Sequence, residues 1–321
     1  MAFTFNAKET KVALLCGGKS GEREISLASG NGAKEALLEA GFQVEMIDPS
    51  NKQDLIKLVE EDFDVAFLTL HGKYGEDGTV QGMLEILDIP YTGPGVWSSA
   101  TAIDKPKAKV YYEKNGILTP KSLTLTSPFE KNSDEIAEEI GEHCVVKAAT
   151  EGSALGVYIC HNKKEINDAL KAVFEIDTQA LVETFISGDE FTVAVLGNEE
   201  PQALPVIRII PVNEFYDFES KYSTGGSQHI CPAPLSEELT QKAKDIAISA
   251  HKALECTGVS RTDLILDEKG DFWALETNTI PGMTATSLLP DAARAAGYNF
   301  SELCCQLIQY AFETHEKRKA E

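Results

Sequence analysis

Basic residues are scarce in this chain. Its 321 residues include 29 Lys and Arg against 51 Asp and Glu, which gives a formal net charge of -22. Such an excess of negative charge argues against general binding to nucleic acids or to anionic membranes, because both carry the same sign of charge. A phosphate site must therefore be built locally, from a few Lys and Arg side chains and backbone N–H groups within an acidic surface.

Long apolar segments are also missing. No run approaches the roughly 18 apolar residues that a membrane span needs, and the first residues do not follow the charged-then-apolar pattern of a secretory signal. The seven cysteines are scattered and form neither a zinc pattern nor a disulfide framework. These features predict a cytoplasmic protein that has neither a membrane nor a nucleic acid as a partner.

Two common nucleotide-binding fingerprints are absent. The polar loops 17–24 and 71–78 follow apolar runs, but neither contains the GxGxxG pattern of nicotinamide cofactor sites. The Gly/Ser-rich turn at 151–156 lies between two predicted strands and lacks the GxxxxGK[ST] pattern of a P-loop. A turn of this kind is often an ordinary hairpin connection, but it is also able to lay backbone N–H groups over phosphates.

Strands and helices alternate in the first hundred residues. Short apolar runs separated by helical segments predict a parallel α/β sheet that binds ligands at the carboxyl ends of its strands. The pattern changes near residue 104, and a long polar stretch at 211–234 has the composition of a lid. We expect three units: an N-terminal substrate-binding domain over 1–103, a central unit over 104–191 and a C-terminal unit over 192–321.

One stretch near the C-terminus concentrates polar groups. Apolar and β-branched residues flank the turn at 267–271, which predicts a β-hairpin. Pairing of Asp267 with Phe272 would fix the register of its two strands. Because side chains alternate between the faces of a strand, that register brings two cross-strand pairs to one face: Asp263 with Glu276, and Arg261 with Asn278.

The oxygen atoms on this face predict a site for a hard cation. The carboxylates of Asp263 and Glu276 and the amide oxygen of Asn278, with no His or Cys nearby, favour Mg²⁺ or Mn²⁺ over Zn²⁺. The same pattern also fits the polar solvent face of an ordinary hairpin, since acidic strand faces are common. The spacing alone leaves both interpretations open.

Five motifs in the same order carry a family resemblance. They are Gly17-Gly18-Lys-Ser-Gly-Glu22, His71-Gly-Lys-Tyr-Gly-Glu-Asp-Gly78, Glu151-Gly152-Ser153, Lys221-Tyr222 and the hairpin segment Glu276–Ser287. Over about residues 11–312 the chain resembles D-alanine–D-alanine ligases of the ATP-grasp superfamily. The resemblance implies an α/β ATP-grasp fold, in which an N-terminal parallel α/β domain precedes two ATP-grasp subdomains with mixed or antiparallel sheets.

The resemblance also implies how ATP and metal are bound. Two Mg²⁺ or Mn²⁺ ions would be held by Asp263, Glu276 and Asn278. Contacts to ATP would come from a larger set: Lys105, Lys147, Glu151, Ser153, Glu183, Phe185, Ile186, Glu190, Lys221 and Asn278.

For the reaction, the resemblance implies ATP-dependent joining of two D-alanine molecules through an acyl phosphate, for peptidoglycan precursors, by a homodimer. Glu22 and His71 would bind the first D-alanine, and Lys221, Ser287 and Leu288 the second. Arg261 and the Gly282 N–H would stabilise the tetrahedral oxyanion. Glu22, Ser153 and Tyr222 would form a hydrogen-bonded link between the first loop, the phosphate loop and the lid.

Two alternatives stay open. A ligase of the same fold could join D-alanine to D-lactate or D-serine, although the Lys221-Tyr222 pair resembles the dipeptide-forming enzymes. A nucleotide-binding regulatory protein without turnover is a different class of protein. The intact set of acidic and basic residues on the hairpin argues against that second alternative.

Overall fold

Three β-sheets organise the chain in the computed structural model, which describes residues 5–152, 155–211, 226–284 and 286–320. The first sheet is parallel, as expected, and its strands occur in the order β2-β1-β3. Its elements are β1 (Lys11–Leu15), α1 (Arg23–Glu39), β2 (Gln43–Ile47), α2 (Lys52–Glu60) and β3 (Val65–Leu68). The two loops that leave the adjacent strands β1 and β3 therefore start side by side, at the carboxyl edge of the sheet.

Three helices follow the first sheet: α3 (Thr79–Ile86), α4 (Val96–Ile103) and α5 (Lys105–Lys114). Helix α5 begins at the change of pattern that the sequence shows near residue 104. Asp104 is the N-cap of α5, and its side chain accepts a hydrogen bond from the backbone N–H of Lys107 at 3.1 Å. Pro106 occupies the first turn, where its missing N–H costs no helical hydrogen bond.

The second sheet is antiparallel, with strand order β4-β7-β5-β6. Its elements are β4 (Ser122–Leu125), α6 (Ser133–Glu139), β5 (Cys144–Ala148), β6 (Val157–Cys160), α7 (Lys163–Val173) and β7 (Ala180–Thr184). Helices α6 and α7 contribute Ile136, Ile166 and Leu170 to its core, which leaves the other face of the sheet for a ligand. The glycine-rich turn joins β5 to β6, as the sequence predicts.

The third sheet is antiparallel, with strand order β11-β10-β8-β12-β13, and β9 also pairs with β8. Its strands are β8 (Gly188–Leu196), β9 (Gln202–Ala203), β10 (Ile207–Pro211), β11 (Ser227–Ile230), β12 (Val259–Asp267) and β13 (Phe272–Asn278). The accompanying helices are α8 (Glu237–Ala253), α9 (Leu288–Ala295) and α10 (Phe300–Ala320).

Strand β8 crosses the division that we expected after residue 191. It pairs with β12 along its whole length, from Gly188 to Leu196, so the change of sheet lies between β7 and β8. Most of the expected lid, residues 212–225, lies outside the described residues. The part at 227–230 forms β11 and pairs with β10.

One hydrophobic core joins the first sheet to the third. Leu14 of β1 and Leu37 of α1 are buried in the same cluster as Leu289 of α9 and Ile308 of α10. Each buried side chain of this size contributes roughly 1.5–3 kcal/mol relative to full exposure. The loops of the first sheet are thus held against the C-terminal hairpin, although the two lie about 200 residues apart in the chain.

Two glycines of α1 give a matched test of this packing. A Cβ at Gly30 would lie 2.6 Å from Cys16 Cβ, whereas a Cβ at Gly32 would lie 3.5 Å from its nearest neighbour, the Met283 carbonyl oxygen. We expect Gly30→Ala to destabilise the protein by about 1–3 kcal/mol through overpacking. Gly32→Ala should be neutral or stabilise by up to about 1 kcal/mol, because alanine favours the helix. Urea unfolding of both variants measures the difference, and equal stability would contradict the close approach of α1 and β1.

Candidate active site

The hairpin β12–β13 brings the expected polar pairs together. Arg261 lies opposite Asn278, and Asp263 lies opposite Glu276, as predicted. The predicted pairing of Asp267 with Phe272 is wrong, because Leu266 lies opposite Phe272. The register shifts by one residue between the Asp263 and Leu264 pairs.

A β-bulge at Leu275 explains why the predicted pairing at Phe272 is wrong while the two predicted polar pairs are correct. Phe272 and Ala274 are fully buried and pack with Leu264 in the core. Strict alternation from these two positions would point Glu276 into the same core. The extra residue, Leu275, shifts the alternation by one, so that Thr277 is buried and Glu276 faces the site.

Asp263 is held by several donors. Arg261 donates from Nε to Asp263 Oδ1 at 3.1 Å and from Nη2 to Oδ2 at 3.0 Å. Thr192 Oγ1 donates to Oδ1 at 2.6 Å, and the Asn278 amide donates to Oδ2 at 3.3 Å. The carboxylate is therefore fixed by contacts from three strands.

The donor set fits a hard divalent cation. Asp263 and Glu276 supply carboxylate oxygens and Asn278 supplies an amide oxygen, which are the ligands that Mg²⁺ prefers. Lys105 Nζ lies 3.6 Å from Glu276 Oε2, so positive charge already faces this carboxylate. In the described part of the chain, no group of three or more His, Cys, Asp or Glu is arranged for a metal. A metal here would complete its coordination shell with water and nucleotide phosphates.

A cleft between the second and third sheets gathers most residues expected to bind ATP. Its walls include Lys105, Lys147, Glu151, Glu183, Phe185, Ile186, Glu190, Asp263 and Glu276. Apolar side chains line the rest, among them Val157, Ile159 and Leu264. The Phe185 ring stacks on the His143 ring with centroids 4.0 Å apart, which fixes the aromatic wall.

Glu183 is buried between two lysines, and sequence reasoning identified only one of them. Lys147 Nζ donates to Glu183 Oε1 at 2.5 Å, and Lys109 Nζ donates to Oε2 at 3.1 Å. Burial raises the pKa of the Glu183 carboxyl, but the two ammonium groups lower it by more, so its pKa lies below the usual 4.5. The carboxylate is therefore ionised at neutral pH.

Lys105 connects the glycine-rich turn at 151–156, called the phosphate turn below, to the hairpin. Its Nζ donates to the Glu151 carbonyl oxygen at 2.6 Å while facing Glu276, and its backbone N–H donates to the Ala149 carbonyl oxygen at 3.0 Å. The side chain is only 7% exposed. A cation at this position therefore lies between the glycine-rich turn and the acidic face of the hairpin.

A second pocket lies further along the same face of the hairpin. It is lined by Glu22, His71, Glu76, Gly152, Arg261, Asn278, Gly282, Ser287 and Leu288. The pair Asp263 and Glu276 thus faces the first cleft, while Arg261 and Asn278 face this pocket. One polar face of the hairpin thus lines both cavities.

The Glu22 carboxylate lies between two glycine loops. A Cβ at Gly72 or at Gly152 would come within 2.9 Å of Glu22 Oε2. The acid is therefore brought close to the glycine-rich turn at 151–156. This contact joins the loops that leave β1, β3 and β5.

Glu76 belongs to this pocket although no role was predicted for it. Its Oε2 accepts a hydrogen bond from the Gly72 N–H at 2.7 Å. Burial, and then the negative charge of Glu22, raise the pKa of Glu76 above its usual 4.5. The two acids favour a state in which one of them is protonated.

His71 is neutral in this environment. Burial, and then the positive charge of Arg261, lower the pKa of His71 from 6.5 to about 4. Its Nε2 atom is buried and makes no hydrogen bond with the described residues. A bound ligand in the pocket is able to supply that partner.

The far end of the pocket is the start of helix α9. Ser287 is the N-cap residue, but its side chain makes no capping bond to the helix. Its Oγ instead accepts from the Thr284 N–H at 3.0 Å. A Cβ at Gly282 would lie 2.7 Å from Ser287 Oγ, so the Gly282 backbone lies directly against the Ser287 hydroxyl. The first backbone N–H groups of α9 thus keep their capacity for an anion.

Three of the expected site residues, Ser153, Lys221 and Tyr222, lie outside the described residues. Their expected contacts with Glu22 and with the substrates remain predictions. No helix within the described ranges has the length and apolar character to cross a membrane.

Comparisons with known proteins agree on one family. Family models match residues 112–309, described as D-ala D-ala ligase C-terminus, and residues 49–94, described as D-ala D-ala ligase N-terminus. A D-alanine--D-alanine ligase from Carboxydothermus hydrogenoformans is 46% identical over 312 residues, which cover 96% of this chain and 100% of that relative.

Solved structures give the same result. D-alanine--D-alanine ligase from Bacillus anthracis complexed with ATP is 35% identical with a TM-score of 0.84, covering 98% of this chain and 100% of that one. VanG D-Ala:D-Ser ligase from Enterococcus faecalis is 30% identical with a TM-score of 0.82, covering 94% and 99%. These likenesses confirm the expected ATP-grasp fold.

The raised pKa of Glu76 predicts a pH-dependent stability. Between pH 4.5 and its raised folded pKa, the folded protein keeps a proton that the unfolded chain releases. The stability from this group is full below pH 4.5 and is lost as the pH rises through the folded pKa. Glu76→Gln keeps the side chain neutral, so its melting temperature relative to wild type should rise between about pH 5 and pH 9.

The matched control is Glu60→Gln, at an exposed position of α2. Its melting temperature should follow that of wild type across the same range. A Glu76→Gln curve parallel to wild type would mean that the folded protein holds Glu76 ionised throughout.

Proposed function

This chain belongs to the D-alanine–D-alanine ligase family, and from that premise we propose that it joins two D-alanine molecules to D-alanyl-D-alanine while ATP becomes ADP and phosphate. The observation that carries the proposal is that one polar face of the hairpin forms a wall of both cavities. Asp263 and Glu276 face a cleft fit for a nucleotide, and Arg261 and Asn278 face a smaller polar pocket. A phosphate and an amino-acid carboxylate would meet at that wall.

The first step activates one D-alanine. Its ammonium would bind the Glu22 carboxylate, with neutral His71 beside it, and its carboxylate would face the hairpin. A carboxylate oxygen attacks the γ-phosphorus of ATP, the bond to the β–γ bridging oxygen breaks, and ADP leaves. The product is an acyl phosphate. Lys105 and Lys147 supply the positive charge that phosphoryl transfer requires.

The second step forms the peptide bond. The neutral amine of the second D-alanine attacks the acyl carbon. The tetrahedral intermediate then collapses, and inorganic phosphate leaves and takes the proton that the attacking nitrogen gives up. Arg261 and the Gly282 N–H would stabilise the oxyanion, and one such donor is worth roughly 3 kcal/mol. The carboxylate of the second D-alanine would be seated by Lys221, Ser287 and Leu288, where the N-terminus of α9 favours an anion.

Two Mg²⁺ or Mn²⁺ ions would be held by Asp263, Glu276 and Asn278. Bound there, they would neutralise the charge of the terminal phosphates. The adenosine would lie along Glu183, Phe185, Ile186 and Glu190, and the phosphates near Glu151 and Ser153. A link from Glu22 through Ser153 to Tyr222 would close the site and exclude water, which otherwise hydrolyses the acyl phosphate.

The family also supports a setting for this activity. We propose that the enzyme acts in the cytoplasm, as a homodimer, in the supply of peptidoglycan precursors. We place its three units at residues 1–103, 104 to about 187, and about 188 to 321, with the second boundary at the change of sheet before β8.

The acceptor is the first point to test. With ATP, Mg²⁺ and D-alanine, we expect ADP and D-alanyl-D-alanine in equal amounts. D-serine, which the likeness to a D-Ala:D-Ser ligase suggests as an alternative, and D-lactate should be poorer acceptors near neutral pH. ADP release coupled to mass analysis of the product measures this. Faster product formation with D-lactate or D-serine would replace the proposed acceptor, and ATP binding without turnover would indicate a regulatory protein.

Glu276→Gln tests the proposed metal site. The substitution keeps the size of the side chain but removes a charge, so kcat should fall on the order of 100-fold or more while the melting temperature changes little. Raising the Mg²⁺ concentration should restore part of the loss. Glu268→Gln, at the exposed turn of the same hairpin, is the control and should leave kcat unchanged. A fully active Glu276→Gln variant would refute the metal assignment.

A further inference from the structure

Lys109 is a buried cation behind the nucleotide cleft. Its side chain is 3% exposed, and its ammonium donates to Thr119 Oγ1 at 2.7 Å as well as to Glu183 Oε2. The walls of the cleft in the described part of the chain include Lys147 and Glu183 but not Lys109. Lys109 therefore acts on a ligand in the cleft only through another residue.

The net charge of this cluster depends on Lys109. Lys147 and Glu183 alone form a neutral pair, in which the carboxylate holds the ammonium at 2.5 Å. With Lys109 on the second carboxylate oxygen, the three groups carry one net positive charge. In a buried setting that charge is weakly screened, and it reaches a bound anion more strongly than a surface lysine does.

Helix α5 fixes the position of Lys109. Lys105, Lys109 and Tyr112 are spaced at i, i+4 and i+7, which places them on one face of the helix. Lys105 contacts the phosphate turn and Glu276, and the Tyr112 hydroxyl donates to Thr277 Oγ1 at 2.7 Å. One helix face thus holds the turn, Glu183 and the back of the hairpin.

We propose that Lys109 is a positioning residue for the nucleotide: it binds the rear oxygen of Glu183 and leaves Lys147 available to the phosphates. The inference rests on the proposed function in taking ATP as the ligand of the cleft. Without Lys109, Glu183 would be balanced by Lys147 alone. The lysine that faces the ligand would then be neutralised within the protein.

Direct binding to Lys109→Met tests this without turnover. Supporting contacts behind ligand-binding groups change affinity by 10- to 100-fold at metal sites, and we expect the low end here, about a tenfold rise in Kd for a non-hydrolysable ATP analogue with Mg²⁺. Adenosine, which has no phosphates, should bind the variant within about twofold of its affinity for wild type. Calorimetry on the full chain without D-alanine measures both values.

Two further variants keep the test decisive. Lys107→Met makes the same change at an exposed position of the same helix and should leave both Kd values unaltered. Thr119→Val is the second test, for use if Lys109→Met does not fold. It removes one hydrogen-bond partner of Lys109 but none of the charges, so it should raise the Kd of the analogue by about two- to threefold.

The outcomes separate this inference from the proposed function. Equal loss of affinity for the analogue and for adenosine, or a lower melting temperature with unchanged Kd values, would make Lys109 a structural residue and overturn the inference. Should Lys109→Met not fold, an unchanged analogue Kd in Thr119→Val would overturn it as well. A wild-type protein that binds the analogue but forms no dipeptide would overturn only the proposed ligase activity.

Discussion

The register of the β12–β13 hairpin is the constraint on which the rest of the site depends. Side chains on a strand alternate strictly between its faces, so Phe272, Ala274 and Glu276 would normally share one face. Phe272 and Ala274 are in the core while Glu276 faces the site, which requires one extra residue between Ala274 and Glu276. Leu275 is that residue. The bulge lets one strand supply a packed core at one end and a polar face at the other, within seven residues. Because β12 pairs with β8 without interruption along its whole length, this local shift does not disturb the rest of the sheet.

An acidic protein that handles a polyanion must concentrate its positive charge. Here the cations next to the cleft are buried and paired: Lys105 with the phosphate turn and Glu276, and Lys147 and Lys109 with Glu183. Burial makes each charge expensive unless it is hydrogen-bonded, and the pairing meets that requirement. It also holds the ammonium groups in place before a ligand arrives, which reduces the reorganisation that binding requires.

The sequence was informative where apolar residues recurred at a regular spacing or where an unusual motif was present. The parallel first sheet followed from short apolar runs, and the pairs Asp263–Glu276 and Arg261–Asn278 followed from alternation. The bulge could not be predicted, because Leu275 lies in an apolar run without a glycine and its insertion is imposed by burial of Phe272. In the sequence, nothing distinguishes Lys109 from the other three lysines within 105–114. Only its spacing of four from Lys105 places it on the same helix face, and that spacing says nothing of burial or of Glu183, 74 residues away.

The smaller polar pocket draws its walls from all three units. Glu22, His71 and Glu76 come from loops of the first sheet, Gly152 from the turn of the second, and Arg261 and Asn278 from the hairpin of the third. None of these units alone forms a closed wall, and the shared core of β1, α1, α9 and α10 fixes the first relative to the third. The second sheet touches this pocket through the phosphate turn, where Glu22 approaches Gly152. Movement of that turn would therefore alter the cleft and the smaller pocket together.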